Sequence, residues 1–62
     1  MKIPQIGVYS QLGVARQSAH VNQLQYGRDF EVYQDYQGYC VYSDDHKGVK
    51  TGKKVYSTSD FS

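Results

Sequence analysis

The sequence predicts a small α+β fold in which a helical unit is followed by an antiparallel β-hairpin. Residues 15–25 contain no glycine or proline and only one β-branched residue, which favours a helix. Residues 30–43 then alternate apolar and polar positions around a polar, glycine-containing DYQG turn, which is typical of a hairpin. With 62 residues the chain has room for one domain, in which residues 46–62 form a basic C-terminal arm.

The stretch before this helix is open to two interpretations. Apolar residues fall on even positions from Ile6 to Val14, which is the period of a half-buried strand, yet Val8 and Leu12 also form an i, i+4 helical pair. We favour a short helix over about residues 5–12, because Gly13 suits the left-handed residue that closes a helix. A turn at Gly13 followed by a polar helix has the outline of a helix-turn-helix.

Cysteine content, hydropathy and length indicate in which compartment the chain is found and what stabilises it. The single Cys40 excludes an internal disulfide, and together with two separated histidines it offers no zinc-binding spacing. Within the run YCVY it is expected to be a buried strand residue, and an unpaired cysteine favours a reducing, cytoplasmic setting. No apolar run approaches the roughly 20 residues of a membrane span, and no signal peptide is visible. Because so short a chain buries only about 60% of its unfolded surface, we expect self-association.

The net charge of +1 conceals an asymmetry between the two parts of the chain. Residues 1–45 have three basic and five acidic groups, whereas residues 46–62 have four lysines and one aspartate. A basic arm suits phosphates, although a solvated lysine run also keeps a tail soluble. The sequence has no nucleophile–base pair, glycine-rich phosphate loop or cluster of metal ligands. We therefore predict no enzymatic activity, no cofactor and no small-molecule substrate.

The polar side chains of the predicted helix are candidate DNA contacts. Gln17 and Asn22 can each pair bidentately with adenine, and Ser18 can reach several base edges. Arg16 suits guanine or a phosphate. A polar surface helix with no ligand explains the same residues equally well.

From Leu12 to Lys54 the chain resembles the Cro repressors of lambda-type bacteriophages. The matching features come in the same order: LGV at the turn, QSA at the start of the recognition helix, GR at its end, VYSDD in the second strand and the trailing lysines. Shorter similarities to excisionase and MerR-type winged helices lie in ARQS and GYCVYSDD. Since ARQS has one residue more than the usual turn, it stays open which of residues 16–18 faces DNA.

The resemblance implies a cytoplasmic homodimer in a bacterial host that represses transcription by occupying a palindromic operator in double-stranded DNA. It implies DNA contacts from the recognition helix, the start of the hairpin and the basic arm, namely Arg16, Gln17, Ser18, Asn22, Arg28, Lys53 and Lys54. It implies dimer contacts from a strand paired across the two-fold axis and from one inserted hydrophobic residue, namely Val41, Tyr42, Ser43, Asp44 and Val49. The alternative is a small non-enzymatic structural or interaction protein, such as a β-rich phage virion component. The period-2 run over residues 6–14 and the tyrosine, glutamine, serine and glycine content favour that alternative.

Overall fold

A computed structural model describes residues 7–61, which form one helix packed on a four-stranded antiparallel sheet. The elements in chain order are β1 (Gly7–Tyr9), α1 (Leu12–Tyr26), β2 (Phe30–Asp35), β3 (Gly38–Ser43), β4 (Lys53–Ser57) and a 3-10 helix (Thr58–Phe61). The strands lie in the order β1-β3-β2-β4. The α+β class, with a helix followed by the hairpin of β2 and β3, is therefore confirmed.

The turn predicted at Gly13 is wrong, because α1 runs without a break from Leu12 to Tyr26. The residues just before it form β1, in which Val8 stands opposite Cys40 of β3. Within the described chain no helix precedes α1, and positions 5 and 6 of the predicted first helix lie outside the described residues. The weak preference of these residues for a helix is outweighed by their pairing with β3, which gives the backbone of β1 its hydrogen bonds. The strand alternative is the correct one for residues 7–9.

Gly27 ends α1 in the way that the sequence indicates. Its φ of 68° and ψ of 29° are left-handed, and its amide donates to the carbonyl of Gln23 at 2.9 Å. A residue without Cβ adopts this conformation at little cost, which is why glycine is common just after a helix. The chain then turns directly into β2.

One face of the sheet packs against α1 and forms the core. The core consists of two helix alanines and four sheet side chains, namely Ala15, Ala19, Phe30, Val32, Val41 and Tyr56. The fully buried helix side chains of this core are thus both alanines, and Leu12 packs against the core while partly buried. Cys40 is also buried, with 2% of its surface exposed, as predicted for a strand residue.

The connection between β3 and β4 covers the other face of the sheet. Since β4 pairs with β2 and not with β3, residues 44–52 have to cross over β2. On the way, Lys50 Nζ lies 2.7 Å from a carboxylate oxygen of Glu31, and the hydroxyl of Thr51 donates to Asp35 at 2.9 Å. Both faces of the sheet are thus in contact with other parts of the chain.

Part of the basic C-terminal arm predicted over residues 46–62 is a strand of the sheet. Lys53 stands opposite Gln34 and Lys54 opposite Tyr33, with a bulge between Tyr33 and Val32. β4 occupies one edge of the sheet and therefore has one unpaired side. The two lysines consequently have a fixed backbone position and do not belong to a loose tail.

Candidate nucleic-acid interface and outer helix face

The seven predicted DNA contacts divide into two groups in the structure. Four have exposed side chains, namely Arg16, Gln17, Lys53 and Lys54. Three are only partly exposed and are engaged in hydrogen bonds or ion pairs within the chain, namely Ser18, Asn22 and Arg28. That these three contact DNA stays a prediction, and in the structure their polar groups already have partners within the chain.

Ser18 bonds α1 to β1, and Asn22 bonds to Ser18 within the helix. The hydroxyls of Ser18 and Tyr9 lie 3.0 Å apart, which joins α1 to β1. The amide nitrogen of Asn22 donates to the carbonyl oxygen of Ser18 at 2.8 Å. Because α1 begins at Leu12, these positions fall on the flank of the helix that faces β1 and not on its outer side.

Arg28 is neutralised by two aspartates that follow β3. Its Nε lies 3.0 Å from Asp44 Oδ1, and its Nη1 lies 2.9 Å from Asp45 Oδ2. The hydroxyl of Ser43 donates to Asp45 at 2.8 Å and, together with the charge of Arg28, lowers the pKa of Asp45. Arg28 thus has little free charge to offer a phosphate, and Asp44, a predicted dimer contact, is engaged within the chain.

The other predicted dimer residues differ in what they could offer a second chain. Val41 is fully buried and stands between Gly7 of β1 and Val32 of β2, so its backbone has no free edge. Pairing of β3 across a two-fold axis at Val41 is therefore blocked by β1. Tyr42 and Ser43 are buried as well, at 4% and 0% exposure. Val49 is 82% exposed on the crossing connection, so its predicted role in a dimer stays a prediction.

Three exposed cations, here called the basic edge, lie on or beside the edge strand β4: Arg16, Lys53 and Lys54. Lys53 and Lys54 are neighbours in the strand and therefore point to opposite faces of the sheet. The guanidinium of Arg16 lies 4.9 Å from the ring centroid of Tyr56, which follows Lys54 by two positions in β4. No ion pair among residues 7–61 involves any of the three. The basic edge is therefore a group of exposed, uncompensated positive charges.

His20 is a fourth nitrogen-bearing side chain beside β4. It lies one helical turn beyond Arg16, and its Nε2 is hydrogen-bonded to the hydroxyl of Tyr56. The rings of His20 and Tyr56 meet edge to face at 5.7 Å between centroids. His20 was not among the residues predicted for the site, although the i, i+4 spacing of Arg16 and His20 is visible in the sequence.

Most acidic side chains of the described chain are engaged by donors. Glu31 is paired with Lys50, and Asp44 and Asp45 are paired with Arg28. Hydroxyl or amide donors engage Asp29 and Asp35. Among residues 7–61 the cations without an ion pair are Arg16, Lys47, Lys53 and Lys54. Three of these four make up the basic edge.

A second exposed feature, here called the outer stripe, runs along α1 and consists of Val14, Gln17, Val21 and Leu24. Its three apolar members are 45%, 54% and 85% exposed, in chain order. The 15-residue helix has one charged residue, Arg16, which lies beside the stripe and not in it. An exposed helix face that is apolar and uncharged is typical of a contact surface.

Comparison with protein-family models, curated proteins and solved structures found no match for this chain. The resemblance to Cro repressors therefore stays a prediction. Over residues 7–61 no three potential metal ligands come together, and the described helices include none long and apolar enough to cross a bilayer.

Proposed function

We propose that this chain binds double-stranded DNA through the basic edge and regulates transcription in a bacterial cytoplasm by occupying its binding site. The observation that supports this most directly is the distribution of charge. Most acids are engaged within the chain, while Arg16, Lys53 and Lys54, on or beside the edge strand β4, are exposed and without ion pairs. Such a group of cations attracts the DNA backbone, whose phosphates supply most of the affinity of non-specific binding.

The number of cations in the basic edge determines how strongly DNA binding should depend on salt concentration. If each of the three cations contacts one phosphate, the logarithm of the binding constant should fall with the logarithm of salt concentration with a slope of about −3. Binding by one chain is then weak at physiological salt. Backbone contacts position a protein on DNA, whereas sequence preference requires contacts with base edges.

Base recognition has fewer candidates than the sequence suggested. Each good bidentate contact contributes about 1–3 kcal/mol of discrimination. Ser18 and Asn22 are engaged inside the chain, so in a single chain Gln17 is the exposed residue among the predicted base-reading side chains. We therefore expect a DNA-binding protein with a weak sequence preference.

The test is a fluorescence anisotropy titration of labelled duplex DNA at several salt concentrations. Lys54→Gln should weaken binding and reduce the magnitude of the salt slope by about one. Lys47→Gln is the matched control, because Lys47 is also exposed and without an ion pair but lies on the crossing connection. Absence of binding at low salt, or equal effects of the two substitutions, would contradict the proposal.

A second candidate function is a small structural or interaction protein without enzymatic activity. The exposed outer stripe favours it, since Val21 and Leu24 together present an apolar surface with no charge. The anisotropy titration separates the two candidates. A chain that binds no duplex at low salt yet associates with itself would support the interaction protein.

A further inference from the structure

We infer that the outer stripe of α1 is the contact surface between two copies of this chain. The inference concerns a different surface from the basic edge and requires no nucleic acid. It also differs from the dimer implied by the sequence resemblance, in which β3 and Val49 meet the partner. Three properties of the stripe support it, namely its orientation, its spacing and its lack of charge.

The orientation of α1 is the reverse of an ordinary surface helix. A helix packed on a sheet normally turns its larger apolar side chains inward and its polar ones outward. In α1 the fully buried positions are Ala15 and Ala19, and Leu12 is partly buried against the core, while Val21 and Leu24 are exposed by 54% and 85%. Within the described chain no segment packs over Leu24. The apolar side chains of Val14, Val21 and Leu24 are therefore left for another molecule to cover.

The spacing of the stripe suits a second helix. Val14, Gln17, Val21 and Leu24 are separated by three, four and three residues, which is the a/d repeat that packs one helix against another. Over a helix of 15 residues this seam runs for roughly three turns.

The chemistry of the stripe indicates that the second helix is its own copy. The cores of protein interfaces are depleted in charge, and an uncharged seam does not repel an identical seam. Gln17 is the polar member, and its amide has both a donor and an acceptor, so it can hydrogen-bond to the same residue of another copy. A single polar residue in an apolar seam is a known means of fixing helix register.

Because its core is small, the chain would gain stability from dimerisation. A 62-residue chain with one cysteine has no internal disulfide to stabilise it. Its core combines two alanines with four sheet side chains on one face of the sheet. Burying Leu24 and Val21 between two copies would add apolar contacts that the single chain lacks. Gln17 then lies in the seam and not at base edges, while Arg16 beside it remains available.

Sedimentation velocity over a concentration series tests the inference without DNA. The wild-type chain should shift from monomer to dimer as concentration rises, and Leu24→Glu should weaken the dimer roughly 100-fold or more, because each dimer loses two leucines and gains two charges. Val49→Glu is the matched control, since Val49 is 82% exposed against 85% for Leu24 but lies on the crossing connection. Val49→Glu should dimerise like the wild type.

A second substitution tests the seam in the opposite direction. Gln17→Leu should strengthen the dimer by about tenfold or more, because it replaces the polar member of an apolar seam. A wild-type chain that stays monomeric at every concentration would overturn the inference. So would dissociation by Val49→Glu with Leu24→Glu unaffected, which would instead favour the interface implied by the sequence resemblance.

Discussion

The glycines at the two ends of α1 offer a direct test of the continuous helix against the predicted turn. Gly13 lies in the first turn of α1, its φ is not positive, and a Cβ added to it would meet no atom within 4 Å. Alanine is favoured over glycine inside a helix by about 0.5–1 kcal/mol. Gly13→Ala should therefore stabilise the protein, whereas a left-handed turn at this position would be destabilised by the same substitution.

Gly27→Ala is the internal comparison. Gly27 also has open space around its missing Cβ, but its φ of 68° is left-handed. An alanine forced into that conformation should cost about 1 kcal/mol. The two substitutions are chemically identical, so only the backbone conformation separates them.

The expected shifts are large enough to measure. For a domain of this size, 1 kcal/mol changes the melting temperature by about 4–8 °C. Gly13→Ala should raise Tm by roughly 2–8 °C, and Gly27→Ala should lower it by roughly 4–8 °C. Far-UV circular dichroism melts at one fixed protein concentration give both values. A lower Tm for Gly13→Ala would refute the continuous helix and restore the turn.

Two further predictions concern the hydroxyls of Thr58 and Thr51. Thr58→Val should lower the free energy of unfolding in urea by about 2 kcal/mol, because it leaves the buried Phe30 amide without its acceptor at 3.0 Å. Thr51→Val removes an exposed hydroxyl and is the control, so equal losses would contradict the buried role of Thr58. In NMR titrations the pKa of Asp35 should lie below 3.8, chiefly because Thr51 donates to it, and Thr51→Val should raise that pKa. Since the folded chain then binds fewer protons than the unfolded chain, the stabilisation by Asp35 is present above pH 3.8 and is lost as pH falls through the folded pKa. An unchanged Asp35 pKa in Thr51→Val would oppose this account.

The hairpin was predictable because its signals are local. Alternation in β2 and β3 and the polar turn between them lie within 14 consecutive residues. β1 and β4 are different, since each is short and pairs with a strand distant in the chain. Local propensity cannot reveal such partners. The apolar pattern before Gly13 fits both a strand and a helix, and only the pairing of β1 with β3 decides for the strand.

The phase of the helix decides which of the predicted site residues are exposed. An outer face read from polar character alone includes Ser18 and Asn22, yet both bond inside the chain. The actual outer face includes Val21 and Leu24, which a sequence analysis assigns to a core. The fully buried residues of α1 are alanines because their small side chains let the helix lie close to the sheet. The preference for alanine at these positions depends on the sheet behind the helix, so the helix sequence alone does not reveal it.

The basic edge and the outer stripe together predict how dimerisation changes DNA binding. A dimer joined through the stripe has two basic edges, so a duplex that reaches both meets six cations instead of three, and the salt slope should steepen from about −3 to about −5. Leu24→Glu should return the slope to about −3 by producing monomers, whereas Val49→Glu adds the same charge and should keep the steeper value. Duplexes too short to reach both edges should show the shallow slope with every variant. A steep slope for Leu24→Glu on a long duplex would mean that the two surfaces act independently, since phosphate contacts would then not depend on the helix seam.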